Sequence, residues 1–542
     1  MAKPFTKELS ALQEARLAYA PGMPEILRHI STLDFAAGAV PQVEAGARPL
    51  FTRLANAPVL RVVRGQPEKR PLAVGVVLSG GQAPGGHNVI AAIFDAIKEV
   101  HPESRLVGFC NGPAGIVKND ARTLEQEELA RFRNQGGFDL IGSGRTKIET
   151  ETQFQQALNS VTSHRLDGLV VIGGDDSNTN AAYLAEFFSQ QGSPCVVAGV
   201  PKTIDGDLQN SWIELPFGFD TACKTYAETI GNICRDAVSA KKYYYFIKLM
   251  GRSASHITLE CALKTRPNLA LIGEEVRAEG KTLQDIARLV AELVVARAQE
   301  NKEYGVILVP EGLIEFTRDI GELIGELNRL LAREAATEAV EAVVAGLNEG
   351  ARRTFAMLPQ EIQRQLLSDR DPHGNVQVSK IETERLLIHL VNMVLEAMRR
   401  EGAWQGKFSA QPIFCGYEGR AALPSNFDAS YGYSLGRVAA LLVMRRKTGY
   451  IACIKNLCQA PAEWEPQAAP LAAMLHLEER GGTSKAVIQK AFVDLSGAPF
   501  QCFAKARTSW RLDDCYMQPG PIQFFGPSAI TDSVPLVLSK SR

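Results

Sequence analysis

Three glycine-rich turns of this 542-residue chain carry charged side chains that could do phosphate chemistry. The first turn is SGGQAPGG at residues 79–86. Glycines let backbone N–H groups approach a phosphate closely, and a helix that follows adds the positive field of its N-terminus. No GxxxxGKS or GxxxxGKT sequence occurs, so this turn is not a P-loop. Taken alone, it is explained equally well as a tight strand-to-helix connection.

The second turn is GGDDS, which places the carboxylates of Asp175 and Asp176 side by side. A carboxylate can hold Mg²⁺ through oxygen, as phosphoryl-transfer sites require. Two carboxylates would repel an anionic ligand, so a metal ion or a lysine must lie near them. The alternative is a solvated acidic pair at a helix N-terminus.

The third turn, PKTIDGD, supplies one cation, Lys202, and two further carboxylates, Asp205 and Asp207. A hydroxyl that attacks phosphorus must lose its proton, and a positioned aspartate can accept it. Alone, the sequence could be an Asp-Gly turn with a surface lysine. Three such turns in one stretch of chain together favour a phosphate site.

Apolar strands must position these turns. LAVGVVL, DGLVVI and CVVAGV precede the three turns, and YYYFIKLM and YGVILVP add two further strands. Continuous apolar runs are typical of a parallel sheet covered on both faces. The pattern predicts a doubly wound α/β fold, in which ligands bind at the carboxyl ends of the strands.

Two other segments of the chain have the residue spacing or composition of helices. FTKELSALQEARLAY has apolar residues at helical spacing, which predicts an N-terminal helical arm over residues 1–70. Residues 317–405 are rich in Glu, Arg, Leu and Ala and predict a helical insertion. We expect residues 461–542 to pack back on the body.

The composition excludes several classes of protein. A formal net charge of −1 gives no electrostatic reason for a nucleic-acid partner. No apolar run reaches the roughly 18–20 residues of a membrane helix. The ten cysteines include no CxxC pair, which favours reduced thiols over a metal site. The expected location is the cytoplasm.

A collinear set of motifs resembles the phosphofructokinase family, in particular its long pyrophosphate-dependent branch. The set covers residues 72–316 and 411–440 and comprises GGQAPGGHN, GSGRTKIET, VIGGDDSNTNAA, PKTIDGD, GFDTA, MGRSASH, GEEV, PEG and GYEGR. The resemblance implies two Rossmann-like parallel-sheet domains. Residues 71–240 would bind the donor, and residues 241–316 with 406–460 would bind a sugar phosphate. It also implies Mg²⁺-dependent, reversible phosphoryl transfer from pyrophosphate to the 1-hydroxyl of fructose 6-phosphate.

The resemblance also implies roles for the charged residues of the turns. Asp205 would be the base, with Asp207 as its acidic neighbour, and Asp175 would bind the metal. Gly81 would approach the donor phosphates, and Arg145 would stabilise the transferred group.

The implied sugar-phosphate site draws on several segments. Its residues would be Thr203, Ile204, Asp205, Asp207, Met250, Gly251, Arg252, Glu311, Tyr417, Glu418, Gly419 and Arg420. Arginine suits bidentate binding of the 6-phosphate, and glutamate can accept hydrogen bonds from sugar hydroxyls. Lys242 and Tyr243 resemble residues that reach into a neighbouring subunit's site, which implies a homodimer or a larger homo-oligomer.

Two positions decide the donor, because ATP-dependent relatives have glycine where this chain has Asp176 and Lys202. Asp176 would place a carboxylate where the α-phosphate of ATP must lie. Like charges about 4 Å apart repel by roughly 4 kcal/mol at an effective dielectric near 20. Lys202 would bind pyrophosphate and neutralise charge on the transferred group.

Other functions stay open at this point. An ATP-dependent phosphofructokinase is disfavoured by Asp176 and Lys202, and a catalytically silent regulatory subunit is disfavoured by the acids Asp205 and Asp207. A lipid or NAD kinase with a GGD turn leaves GYEGR and MGR unexplained. Tyr417 stands where ATP-dependent relatives have histidine, so effector control is not predicted.

Overall fold

The computed structural model describes residues 9–66, 69–333, 340–368, 381–480 and 483–541. The strands are β1 Leu33–Ala37, β2 Leu60–Arg64, β3 Ala73–Leu78, β4 Arg105–Phe109, β5 Ala121–Leu124, β6 Gly168–Gly173, β7 Val196–Pro201, β8 Tyr243–Leu249, β9 Leu269–Ala270, β10 Tyr304–Pro310, β11 Ala410–Cys415, β12 Tyr450–Lys455, β13 Glu465–Pro470, β14 Leu475–Arg480 and β15 Thr483–Ile488.

The α-helices, in chain order, are α1 Ala11–Leu17, α2 Gly86–Val100, α3 Pro113–Lys118, α4 Gln126–Ala130, α5 Glu151–Ser163, α6 Asp175–Gln190, α7 Phe219–Ala240, α8 His256–Thr265, α9 Gly273–Ala278, α10 Leu283–Gln299, α11 Leu313–Phe316, α12 Arg318–Arg333, α13 Val340–Gly346, α14 Glu349–Met357, α15 Gln360–Ser368, α16 Thr383–Arg400, α17 Glu418–Ala421, α18 Asn426–Met444, α19 Ala498–Trp510, α20 Ser528–Thr531 and α21 Leu536–Ser539.

The chain forms two compact units. The first comprises Met1–Ala222, Tyr417–Ala491 and Ile522–Leu538, and the second comprises Cys223–Gly416, Phe492–Pro521 and Ser539–Arg542, each in its described part.

A nine-stranded sheet of order β1-β2-β13-β12-β7-β6-β3-β4-β5 forms the centre of the first unit. Strands β12, β7, β6, β3 and β4 run parallel, and the outer pairings are antiparallel. Every residue of β3, β6 and β7 is buried, which is why these strands read as uninterrupted apolar runs. The predicted doubly wound α/β fold is confirmed here.

The second unit contains a four-stranded parallel sheet of order β11-β8-β10-β9. Helices α12 to α16 lie in the segment predicted to be a helical insertion. Their apolar faces share one core with the sheet, to which Phe246, Leu323 and Leu387 belong. Residues 334–339 and 369–380 of the predicted insertion lie outside the described residues.

The N-terminal segment differs from the predicted helical arm. Among its described residues only α1 is an α-helix, and β1 and β2 join the large sheet, β2 by pairing with β13. In β2, Leu60 and Val62 are buried while Arg61 is exposed, so the period is that of a strand. Residues 1–8 of the predicted arm lie outside the described residues.

The predicted domain boundaries also differ from the two units. Residues 417–460, expected in the second α/β domain, belong to the first unit, because β12 pairs with β7 through Tyr450 and Ala198. Helix α7 passes from the first unit to the second after Ala222. Within the described residues, no helix is both long and apolar enough to cross a membrane.

Candidate active site

The first glycine-rich turn begins where β3 ends. Gly80 has a φ of 87°, and a Cβ atom built on it would lie 3.2 Å from the Nζ atom of Lys202. The Lys202 ammonium donates a hydrogen bond to the Gly81 carbonyl at 2.7 Å. The positive φ favours glycine at this turn, which the lysine following β7 covers closely. The first and third predicted turns therefore meet.

Lys202 is 5% exposed. Burial lowers its pKa to about 8, while the Asp205 carboxylate opposes this and Arg420 and Arg145 add to it. Its amine thus changes charge within a unit or so of neutral pH.

Two arginines extend this positive field. A Cβ atom built on Gly81 would lie 3.5 Å from Nη2 of Arg145 and 3.6 Å from Cζ of Arg420. With Lys202, three cations surround one partly exposed backbone turn, and such an arrangement attracts phosphate. Arg420, expected at the sugar phosphate, thus lies beside the first glycine-rich turn in the first unit. Its guanidinium also stacks on Tyr417, which is 69% exposed.

The second turn places Asp175 and Asp176 in the first turn of α6, where the helix dipole favours anions. Each has a lysine from another segment nearby. Nζ of Lys147 lies 3.0 Å from Oδ1 of Asp176, and Nζ of Lys490 lies 3.6 Å from Oδ2 of Asp175. The expectation that a metal ion or a lysine must neutralise this pair is met by lysines.

Neither lysine was among the predicted site residues. Lys147 lies in the GSGRTKIET motif, so the motif was a usable signal, whereas Lys490 has no motif around it. A repulsion of roughly 4 kcal/mol applies to an unpaired carboxylate. Because Lys147 cancels part of the charge of Asp176, the Coulomb repulsion of an α-phosphate would be smaller than that.

The third turn places Asp205 and Asp207 close to Asp175 and Lys202. Asp207 is 4% exposed, and burial, together with the charges of Asp205 and Asp175, raises its pKa to about 7. The Asp205 backbone N–H donates to the Thr203 hydroxyl at 3.1 Å, and the buried side chain of Ile204 lies between them in sequence. The hydrogen bond to Thr203 fixes the backbone at Asp205, while the Asp205 side chain stays partly accessible.

The Asp175 carboxylate is suited to act as a metal ligand. Within the described residues, its Oδ2 atom is buried and accepts no hydrogen bond. The same residues hold no cluster of three or more His, Cys, Asp or Glu side chains that could bind a metal unaided. One carboxylate together with the phosphate oxygens of a donor suits Mg²⁺, which keeps several waters and needs few protein ligands.

The second unit holds a separate set of predicted site residues at the carboxyl ends of two adjacent strands. Met250, Gly251 and Arg252 follow β8, and Glu311 follows the adjacent strand β10. The Gly251 N–H donates to Oε2 of Glu311 at 3.2 Å, which orients the carboxylate beside the MGR turn. Gly251 has a φ of 118°, a conformation that favours glycine.

Lys242 and Tyr243 lie far from the MGR turn of the same chain. Tyr243 begins β8, while Met250 follows its end, so the seven-residue strand separates them by about 20 Å. The Lys242 ammonium lies 5.3 Å from the centre of the Tyr243 ring.

The sequence pattern described as Phosphofructokinase matches residues 73–356. The chain belongs to the phosphofructokinase family. The predicted family is thereby confirmed.

Among phosphofructokinase relatives, the chain is 50% identical over 558 residues to the pyrophosphate–fructose 6-phosphate 1-phosphotransferase of Treponema pallidum (strain Nichols), covering 98% of this chain and 97% of that one. It is 52% identical over 458 residues to the beta subunit of the Solanum tuberosum enzyme of that name, covering 84% and 80%. The solved pyrophosphate-dependent phosphofructokinase of Marinobacter aquaeolei is 15% identical with a TM-score of 0.53, covering 81% of this chain and 90% of that one. That structure shows the phosphofructokinase fold.

Proposed function

We propose that this chain transfers a phosphoryl group from pyrophosphate to the 1-hydroxyl of fructose 6-phosphate, giving fructose 1,6-bisphosphate and phosphate. The observation that carries the donor assignment is a buried cation at the first glycine-rich turn, in a unit that also places an acid at the start of α6. Lys202 covers the phosphate-binding turn, and Asp176 stands at the start of α6. The names of the relatives agree with this donor and this acceptor.

Three cations act on the donor. Lys202, Arg145 and Arg420 surround Gly81 and would hold the phosphates of pyrophosphate. As the bond to the transferred phosphoryl group breaks, negative charge grows on the leaving phosphate. Fixed positive groups at that point stabilise the transition state more than the ground state.

Asp205 is the proposed base. Its carboxylate would accept the proton of the sugar 1-hydroxyl as that oxygen attacks phosphorus, and it would return the proton in the reverse reaction. Asp207, with its pKa raised to about 7, adds little negative charge below neutral pH and so limits repulsion of the donor.

Asp175 would hold Mg²⁺, the proposed cofactor. The bound ion would neutralise negative charge on the donor phosphates. Lys490 already supplies one positive charge beside Asp175.

The proposed sugar-phosphate residues lie in two sets. In the second unit, Glu311 would accept hydrogen bonds from sugar hydroxyls and Arg252 would bind phosphate. In the first unit, the GYEGR motif supplies Tyr417, Glu418, Gly419 and Arg420, and the third turn supplies Thr203 and Ile204.

We also propose a homodimer or larger homo-oligomer with shared sites. Lys242 and Tyr243 lie at the opposite end of β8 from Met250, so they cannot contact a ligand bound at the MGR turn of their own chain. They could instead contact the ligand bound by a second copy of the chain.

One experiment tests the activity. Purified protein is assayed with fructose 6-phosphate and Mg²⁺, with either pyrophosphate or ATP as donor. We expect turnover with pyrophosphate and little with ATP. Comparable kcat/KM for both donors would contradict the donor assignment, and no turnover with either would favour a silent regulatory subunit.

A further inference from the structure

The segment of residues 144–148, here called the clamp segment, connects the glycine-rich turn to helix α6. At one end the Gly80 N–H donates to the Gly144 carbonyl at 2.8 Å. At the other end the Ile148 N–H donates to Oδ1 of Asn180 at 2.9 Å, and Nδ2 of Asn180 donates back to the Ile148 carbonyl at 2.7 Å. The backbone of the clamp segment is therefore fixed at both ends.

The clamp segment lies along the face of α6 that carries Asp176. Asn180 follows Asp176 by four residues, so both side chains lie on one face of the helix. Lys147 extends from the fixed backbone to within 3.0 Å of Oδ1 of Asp176. The lysine side chain is 24% exposed and the aspartate side chain 44% exposed. A carboxylate that exposed would otherwise sample several rotamers.

The same segment carries Arg145, whose guanidinium faces Gly81. One short stretch thus supplies a cation to the phosphate-binding turn and a second cation to the acid at the helix terminus. The Lys147 ammonium lies at Asp176, whereas the Arg145 guanidinium lies at the turn.

Resting on the proposed function, we propose that Lys147 is a positioning residue for the donor: it holds the Asp176 carboxylate in one place and cancels part of its charge toward pyrophosphate. The fixed carboxylate blocks a bulkier donor by its volume. The partial neutralisation lets pyrophosphate, which is strongly anionic, bind beside it.

The test is the variant Lys147→Gln, studied by steady-state kinetics with pyrophosphate and fructose 6-phosphate. We expect the KM for pyrophosphate to rise about tenfold, which is within the usual coupling between charged residues in contact. The KM for fructose 6-phosphate and kcat should stay within about twofold, because the proposed effect is confined to donor binding. Lys147→Arg, which keeps the charge, should restore most of the pyrophosphate affinity.

Lys485→Gln is the matched control. Lys485 forms an ion pair at 3.1 Å with Glu149, two residues beyond Lys147, and its side chain is 47% exposed. This variant removes the same charge from the same neighbourhood without touching Asp176, so the KM for pyrophosphate should stay within about twofold.

The variant Asp176→Asn separates an indirect from a direct action of Lys147. In that background no carboxylate remains to be held, so adding Lys147→Gln should change the KM for pyrophosphate by less than about twofold. An equal effect of Lys147→Gln in both backgrounds, or an effect no larger than that of Lys485→Gln, would overturn the proposal. Absence of pyrophosphate turnover in the wild-type chain would instead contradict the proposed function.

Discussion

At the scale of single residues, burial moves the pKa values of Lys202 and Asp207 toward each other. It lowers that of the lysine to about 8 and raises that of the aspartate to about 7, since both charged forms lose hydration. Groups that change charge near neutral pH cluster at functional sites. The charge of these two side chains therefore changes with pH in this range.

The pH dependence of donor binding follows from Lys202. Its ammonium is present below pH about 8 and is lost as pH rises through that value. Since kcat/KM reports groups of the free enzyme, kcat/KM for pyrophosphate should fall above pH about 8. Lys202→Arg, whose guanidinium stays charged, should show a lower plateau without this fall. The ratio of kcat/KM for the wild type to that for Lys202→Arg, taken at each pH, removes the titration of pyrophosphate itself. A ratio that does not change with pH would show that Lys202 is not the group that titrates.

The role of Asp205 is tested by Asp205→Asn, which keeps the shape but cannot accept the proton. We expect kcat to fall by about 10²–10⁴-fold in both directions, while the KM for fructose 6-phosphate changes only a few-fold. Asp494→Asn is the control, because Asp494 is an exposed acid that accepts hydrogen bonds from Ser496 in its own turn. A near wild-type kcat for Asp205→Asn would show that another group is the base.

The residues at these turns differ in how far the sequence predicts them. Asp175, Asp176, Lys202, Asp205 and Asp207 follow strand ends in recognisable turns, and the structure brings them together. Their lysine neighbours could not be placed in that way. Asp175 and Lys490 are 315 positions apart in sequence, so tertiary contacts bring them together, among them the hydrogen bond from the Ala491 N–H to the Asp207 carbonyl.

At the scale of elements, a buried ion pair joins strand β8 to helix α16 in the second unit. Nζ of Lys248 lies 3.1 Å from Oε2 of Glu384, with side-chain exposures of 6% and 5%. The ammonium also donates to the Ile381 carbonyl and lies 4.7 Å from the centre of the Phe414 ring. The pair therefore ties the last helix of the insertion to the strand that ends at the MGR turn.

Removing one partner should destabilise this unit strongly. Lys248→Met and Glu384→Leu each leave a buried charge without its partner, at a cost of about 3–5 kcal/mol, whereas the double variant should be near neutral. The exposed pair Arg385–Glu382 at the start of the same helix is the control, and its loss should cost about 0–1 kcal/mol. Urea unfolding of the four proteins measures the cycle. Equal losses for the single and double variants would mean that packing, not charge, holds the helix.

The strands that the sequence predicted are those with complete or nearly complete burial. Strands β3, β6, β7, β8 and β10 appear in the chain as long apolar runs. Strands β1 and β2 have only five residues each and are partly exposed, and β2 gains its place by pairing with β13, some 400 residues later. No local pattern specifies such a pairing, whereas the helical spacing around α1 is visible in the sequence.

At the scale of the whole molecule, the two units carry different parts of the proposed chemistry. The donor turns belong to the first unit, and Met250, Gly251, Arg252 and Glu311 belong to the second. The chain returns to the first unit at Tyr417, so GYEGR is joined to the donor unit although it follows β11 of the second. Sequence order alone could not predict this return, because β12 and β11 join different sheets.

The shared-site proposal can be tested by mixing two defective chains. Arg252→Ala should damage the site of its own chain, because Arg252 follows the carboxyl end of β8. Lys242→Ala should damage the site of a neighbouring chain, because Lys242 precedes the other end of that strand. Each variant alone should lose most activity at low fructose 6-phosphate concentration.

In a mixed dimer of these two variants, one site carries both changes and the other carries neither. Random pairing of equal amounts makes half of the dimers mixed, so about a quarter of the wild-type activity should return in a symmetric dimer with two sites. The measurement is the rate after co-expression, compared with the two variants expressed separately and then mixed without subunit exchange. If Lys242 and Arg252 served the same chain's site, every site in the mixed dimer would carry a change and no activity would return.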